Sequence, residues 1–185
     1  MQNKYCKDCP MRLYNIKCNN LGGYGNPWSD KLIIVPNVDY IAYKQKDFKF
    51  SNYIEVMSSI FPTGGLEGEF YILPLIRCNT NLGCVVTNDV YKHCINHLVT
   101  DFKIYNFKHV LCLGDVSKYM LNINNISKEL NNVYISKNSK YYYINYSPFI
   151  KYIDEKLFDI FRINFIKWYN AITFNNYSKY KFYRI

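Results

Sequence analysis

Alanine is nearly missing from this chain of 185 residues, occurring only at Ala42 and Ala171. Tyrosine (20 residues), asparagine, isoleucine and lysine are abundant instead. That bias is typical of a very AT-rich genome, such as that of a virus, phage, organelle or parasite. Acidic residues are scarce too: 14 stand against 23 Lys and Arg, for a formal net charge of +9. A charge of that sign bears on partners and not on fold, and it favours polyanions such as DNA. No run of about eighteen apolar residues is present, which excludes a transmembrane helix. The first ten residues, MQNKYCKDCP, lack the apolar segment of a secretory signal, so an intracellular protein without membrane contact is expected. No P-loop, H-E-x-x-H or G-x-S-x-G motif occurs, and Gly22–Gly25 does not lead from a strand into a helix as a phosphate cradle requires. Disorder is excluded by an apolar fraction of 49% against 20% charged. No repeat or Gly/Ser linker divides the chain. A single domain over residues 1–175 is expected, with an arm at 1–30 and a basic aromatic tail at 176–185.

Periodicity supplies the elements. Leu32–Pro36, Phe70–Ile76 and Val110–Leu113 are short apolar runs bounded by turn signals, the pattern of buried strands. Pro74 is expected at the end of its strand or at a bulge, because it cannot donate to a ladder. Helices are expected over Ser51–Phe61, from a Thr87 cap to Val99, over Asp115–Met120 and over Ile153–Ile172. In the last of these Leu157, Phe158, Phe161, Phe165 and Trp168 recur at steps of three and four. Val133–Ser136 and Tyr141–Tyr146 are expected to pair around Lys137–Lys140, with tyrosines packed across the strands. Strands alternating with helices predict an α/β three-layer sandwich around a mostly parallel sheet. In such folds sites form at the carboxyl ends of strands, here after Val35, at Pro74–Cys78, after Leu113 and after Tyr146.

Cysteine is the informative residue. Cys6 and Cys9 form a C-x2-C pair, followed at long range by Cys78 and Cys94. An odd count of seven without an export signal speaks against a disulfide framework. Four thiolates suffice for one tetrahedral metal or a cubane cluster. Zinc ribbons present two short pairs; here the second pair runs from a strand end to a helix, which suits an iron–sulfur cluster tying the arm to the domain. Zinc, and buried free thiols, are the alternatives. Cys18 and Cys84 are spares, and Cys84 is placed to replace one ligand. Cys112, inside its apolar strand, reads as core. His93 and His97 lie four apart beside Cys94, so that their face can approach a metal; a solvated helix face is the preferred reading. Two segments interleave lysine with aromatics, Tyr40–Phe50 and Tyr177–Arg184, as single-stranded nucleic-acid surfaces do. Lys44, Lys46 and Lys49 are the phosphate-binding candidates in the first.

The order of these pieces resembles the iron–sulfur uracil-DNA glycosylases, the fourth family of that superfamily. The matching residues are Cys6-Lys7-Asp8-Cys9-Pro10, Gly23-Tyr24-Gly25-Asn26-Pro27, Leu32–Val35, Tyr71–Cys78, Cys94 and Val110–Gly114. The resemblance covers roughly residues 4–172. It implies the superfamily's α/β fold, DNA as partner, and a [4Fe–4S] cluster held by Cys6, Cys9, Cys78 and Cys94. It also exposes departures. The family's Gly-Glu-Ala-Pro-Gly motif reads Val35-Pro36-Asn37-Val38-Asp39 here, so the water-positioning role falls on Asn37, with Asp39 beside it. The uracil-reading asparagine falls on Pro74, which has no side-chain amide. The histidine of His-Pro-Ser falls on Ser147. The base-stacking phenylalanine corresponds to Phe48 or Phe50. The resemblance thus implies a DNA-binding subunit of a viral or phage replication or repair machinery, meeting replication or transcription proteins, with little uracil excision. The other readings are a divergent glycosylase using Asn37 or Asp39, and a protein-binding adaptor.

Overall fold

The computed structural model describes residues 6–11, 21–61, 65–80 and 86–185; Cys18 and Cys84 lie outside them. Seven strands form one mixed sheet: β1 (Tyr24–Gly25), β2 (Lys31–Val38), β3 (Tyr71–Asn79), β4 (His109–Leu113), β5 (Asn132–Ile135), β6 (Tyr141–Asn145) and β7 (Lys181–Arg184). Their spatial order is β1-β3-β2-β4-β6-β5-β7. The centre, β3-β2-β4-β6, is parallel throughout, while β1 and β5 run antiparallel to their neighbours β3 and β6. The helices are α1 (Tyr40–Gln45), α2 (Asn52–Ile60), α3 (Gly65–Glu69), α4 (Asn88–Ile104), α5 (Val116–Leu121), α6 (Ile126–Glu129) and α7 (Glu155–Thr173).

Strand alternation divides the core in two. Leu32, Ile34, Val110, Cys112 and Tyr142 face one layer, with Val90 and Leu98 of α4 and Val116 of α5. Ile33, Val35, Leu111, Leu113 and Tyr143 face the other, with Ile54 and Met57 of α2 and Phe161, Phe165 and Trp168 of α7. Successive side chains of a strand point to opposite faces, so a sheet buried on both sides reads as a continuous apolar run. The hairpin around Lys137–Lys140 also forms as expected, with Tyr134 opposite Tyr142.

Other expectations are corrected. Pro74 lies inside β3, in register with Val35, and not at the strand's end. Among the described residues β1 pairs only with Tyr71 and Ile72, so beyond Ile72 this side of β3 is an edge, where a missing N–H costs least. Thr87 precedes α4 but its side chain makes no capping hydrogen bond. Tyr40–Gln45 is helical, started by the Asp39 side chain accepting from the Ala42 N–H. The C-terminal segment contributes β7, which pairs in parallel with β5.

Two residues with tight local requirements give testable consequences. Gly25 has φ +94, and a Cβ there would stand 2.3 Å from the Phe70 carbonyl oxygen. Gly25→Ala therefore forces β1 away from β3, and a loss of about 1–3 kcal/mol is expected in urea unfolding. His109 is buried, its Nδ1 lying 3.1 Å from the Tyr143 hydroxyl. Burial, helped by Lys108 and Lys31 against the opposing pull of Asp30, lowers its pKa to about 4. The unfolded chain then binds this proton more readily than the native one, so stability falls as pH drops from about 6.5 towards 4. The expected loss is about 1–3 kcal/mol. In His109→Gln the unfolding midpoint depends less on pH across that window than in the wild type.

Candidate functional site

Four strand ends meet at the carboxyl edge of the sheet. β2 delivers Asn37 and then Asp39; β3 delivers Thr80; β4 delivers Gly114 and Asp115; β6 delivers Ser147. Asn37 is held from two sides. Its amide nitrogen donates to the Thr80 hydroxyl, and its amide oxygen accepts from the Tyr53 hydroxyl at 2.9 Å. Tyr53, on α2, stacks on Phe149 with ring centroids 4.1 Å apart and 12° between planes. Burial, first, and the nearby Asp39 charge raise the Tyr53 pKa far above its ordinary value, so the phenol stays protonated and acts as a donor. The Ser147 side chain opposes that rise, favouring the ionised form.

Ser147 is placed by a short relay. Buried Asn145 ends β6, donating from its side chain to the Phe161 carbonyl of α7 at 2.9 Å and accepting from the Tyr146 N–H. The Gly114 N–H is bound to the Asn145 carbonyl at 2.9 Å. Gly114 has φ +58, and a Cβ on it would stand 3.0 Å from the Ser147 Cβ. This glycine is therefore what allows β4 and β6 to bring their ends together.

The structure sorts the remaining expected site residues. Asp39 is 3% exposed, and its two oxygens accept from the Ala42 N–H, the Ser51 hydroxyl and the Asn52 N–H. It thus ties the start of α1 to the start of α2. Phe48 is core, packed in the α2–α7 layer, whereas Phe50 is 48% exposed with the Lys49 ammonium 4.9 Å from its ring centre. Lys44, Lys46 and Lys49 are all exposed on the segment that leaves the site through α1. Tyr40 and Ile41 are exposed on the same segment. Pro74 is two register steps below Asn37, which is itself level with Ile76, so Pro74 is not beside Asn37.

The cysteines gather on the α4 face. Cys9, Cys78 and Cys94 are buried in one apolar cluster with Met11, Val90 and Tyr91. Cys6 Sγ lies 3.4 Å from His97 Nε2, one turn beyond Cys94. His97 is 4% exposed, which corrects its assignment to a solvated helix face. Burial, then the charge of Arg77, lowers its pKa to about 4. Arg77 is itself buried, paired with Asp101, and its Nε has no hydrogen-bond partner. Among the described residues no three His, Cys, Asp or Glu side chains converge closely enough to hold a metal ion. The donor chemistry does fit a thiolate-held group: three buried cysteines, a fourth bound to the same helix, and a buried cation beside them to offset thiolate charge. Cys112 is fully buried, and burial alone raises its thiol pKa far beyond the usual range, consistent with a core role.

Sequence reasoning missed Tyr53, Thr80, Phe149 and Asp115. Each of the first three reaches the site through a partner distant in the chain, Tyr53 and Thr80 through Asn37 and Phe149 through Tyr53, which spacing cannot show. Asp115 had a usable signal, since it directly follows the Leu113-Gly114 strand end. It is exposed and does not cap α5 with its side chain. No helix among the described residues is long and apolar enough to cross a membrane. Compared with protein-family models the chain matches none, and compared with curated proteins it also matches none.

Proposed function

We propose that this chain is a uracil-DNA-glycosylase-like protein that binds DNA without excising uracil, serving as a subunit of a replication or repair machinery. The observation that carries the reading is the composition of the carboxyl-edge cluster. Asn37, Tyr53, Thr80 and Ser147 are neutral, and the Asn37 amide is already bound on both sides, to Tyr53 and to Thr80. All three histidines lie elsewhere: His93 and His97 on α4, and His109 at the start of β4. Base excision needs a positioned water and a donor or cation for the negative charge developing on the leaving base. A missing donor of that kind costs roughly 2.7–4 kcal/mol of barrier lowering. Asn37 already spends its amide oxygen on Tyr53, and the Ser147 hydroxyl is a weaker electrostatic partner than an imidazolium.

The net charge of +9 and the exposed Lys44, Lys46, Lys49 and Phe50 support DNA as the partner. On this reading Cys6, Cys9, Cys78 and Cys94 hold an iron–sulfur cluster, or zinc, whose chemistry is to cross-link the arm to the domain. The charge predicts binding that weakens log-linearly with salt. Neutralising Lys44, Lys46 and Lys49 together is expected to weaken DNA binding at low salt and to flatten the slope by about 2 on single strands, at about 0.7 per phosphate contact. An unchanged slope in an anisotropy titration removes α1 from the interface. Asp115 favours one second reading, a divergent glycosylase in which that carboxylate positions the water. Uracil excision that Asp115→Asn abolishes would establish it.

A further inference from the structure

The carboxyl edge opens, on the α4–α5 side, into a concavity of about 330 Å³. Its lining comes from the first turns of α4, which follows β3, and from α5, which follows Asp115 at the end of β4, so the concavity lies along the same sheet edge as Asn37. One wall is aromatic: Tyr91 and Tyr119 stack with ring centroids 3.2 Å apart and 16° between planes. Leu75 and Ile95 extend it as an apolar floor. Two exposed ammonium groups flank the opening from different helices, Lys92 on α4 and Lys118 on α5. The exposed side chains of Asn88 and Asn122 complete the rim. Lys92 is paired with Asp89 at 3.0 Å, but both partners are largely exposed, and such a pair is worth little against a phosphate.

This combination selects its occupant. An apolar metabolite leaves two cations and two amides without a role. A free phosphate leaves the aromatic wall without one. A nucleotide uses all three: a π-face for the tyrosines, base-edge groups for the amides and phosphate oxygens for the lysines. The volume is at the low end of small-ligand sites, which run from about 300 to 1,000 Å³, and it admits one nucleotide but no base pair within a duplex.

We propose that the α4–α5 concavity holds one unpaired nucleotide of a DNA strand whose neighbouring nucleotide reaches the Asn37 cluster. The Tyr91–Tyr119 pair supports its base, and Lys92 and Lys118 bind its flanking phosphates. This rests on the DNA-binding reading above and adds to it a preference for single strands.

The test is an anisotropy titration of labelled oligothymidylate, and of a duplex of equal length, over a range of salt. Five proteins are compared: the wild type, Lys92→Gln/Lys118→Gln, Tyr119→Leu, Tyr119→Phe and the variant neutralised at Lys44, Lys46 and Lys49. Both lysines are exposed, so the double variant leaves the core intact. It is expected to bind oligothymidylate about tenfold more weakly and with a log–log salt slope smaller by about 1.4, while duplex binding changes little. Tyr119→Leu is expected to lose about five- to a hundredfold on the single strand, and Tyr119→Phe to restore it. Wild-type affinity for oligothymidylate in the double variant, in a protein whose binding falls on neutralising Lys44, Lys46 and Lys49, overturns the proposal and leaves the DNA-binding reading standing. An equal loss on duplex and single strand also overturns it. Absence of wild-type binding to either DNA overturns both.

Discussion

Cys9→Ser is expected to release the N-terminal arm, costing about 2–5 kcal/mol and opening residues 1–30 to protease. Cys9 is 8% exposed and shares its cluster with Met11 (2%), Cys78 and Cys94. Two costs combine in the variant. A serine hydroxyl buried among apolar groups is penalised by about 1–3 kcal/mol on its own. If the four cysteines hold the proposed metal or cluster, the larger share comes from losing one of its ligands, because a site absent from the unfolded chain contributes its binding energy to folding. The two contributions are separable. If the cysteines hold a metal, a chelator added to the wild type reproduces the proteolysis pattern of Cys9→Ser, and anaerobically purified protein contains iron and sulfide. A wild type indifferent to chelator, with a variant penalty confined to the smaller figure, shows a plain thiol cluster. Zinc without iron in the anaerobic protein assigns the alternative metal.

Trp168→Ala is expected to be of similar or greater severity, at about 3–5 kcal/mol, a large fraction of the 5–15 kcal/mol that usually separates folded from unfolded states. Trp168 is 1% exposed and lies against Phe70, Phe165 and Tyr143, with centroids 5.4, 5.8 and 6.2 Å away. Alanine leaves a cavity between α7 and the sheet that rigid aromatic neighbours fill poorly. The indole Nε1 is buried without a hydrogen-bond partner, so Trp168→Phe removes a penalised donor along with part of the packing. Its loss is therefore expected to be well below that of Trp168→Ala. Because α7 also anchors Asn145 through the Phe161 carbonyl, Trp168→Ala should loosen Ser147 before the domain unfolds. Unfolding midpoints of the two variants in urea check the order.

The apolar runs made the central sheet legible. Leu32–Val35 and Val110–Leu113 are short, continuous and bounded by turn residues, and each becomes a parallel strand buried on both faces. The spacing of Phe161, Phe165 and Trp168 likewise identified the inner face of α7. Pro74 misled because the rule against proline is strict only where a strand is paired on both sides, and β3 is paired at Pro74 with β2 alone among the described residues, a strand order not written in local sequence. His97 misled for a related reason: position on a helix reveals which residues share its face, but not that Cys6, ninety-one residues away in the chain, lies against it. At the candidate site Asn37 and Ser147 were visible as strand-end residues. The partners that occupy Asn37, namely Tyr53 and Thr80, come from α2 and the end of β3, and only the folded chain brings them there. Asp39 was visible for the same reason as Asn37. Its use as a double helix cap depended on Ser51 and Asn52 arriving from twelve and thirteen residues away.

The central claim is that the carboxyl-edge site binds DNA and leaves uracil in place. The most direct measurement is a single-turnover assay on a labelled, uracil-containing single strand, with the protein in excess and binding followed by anisotropy in the same sample before alkaline treatment. The account predicts a saturating, salt-sensitive complex whose strand stays intact at the background rate. Strand breaks at the uracil position that appear with the bound fraction would contradict it, as would a strand that never binds.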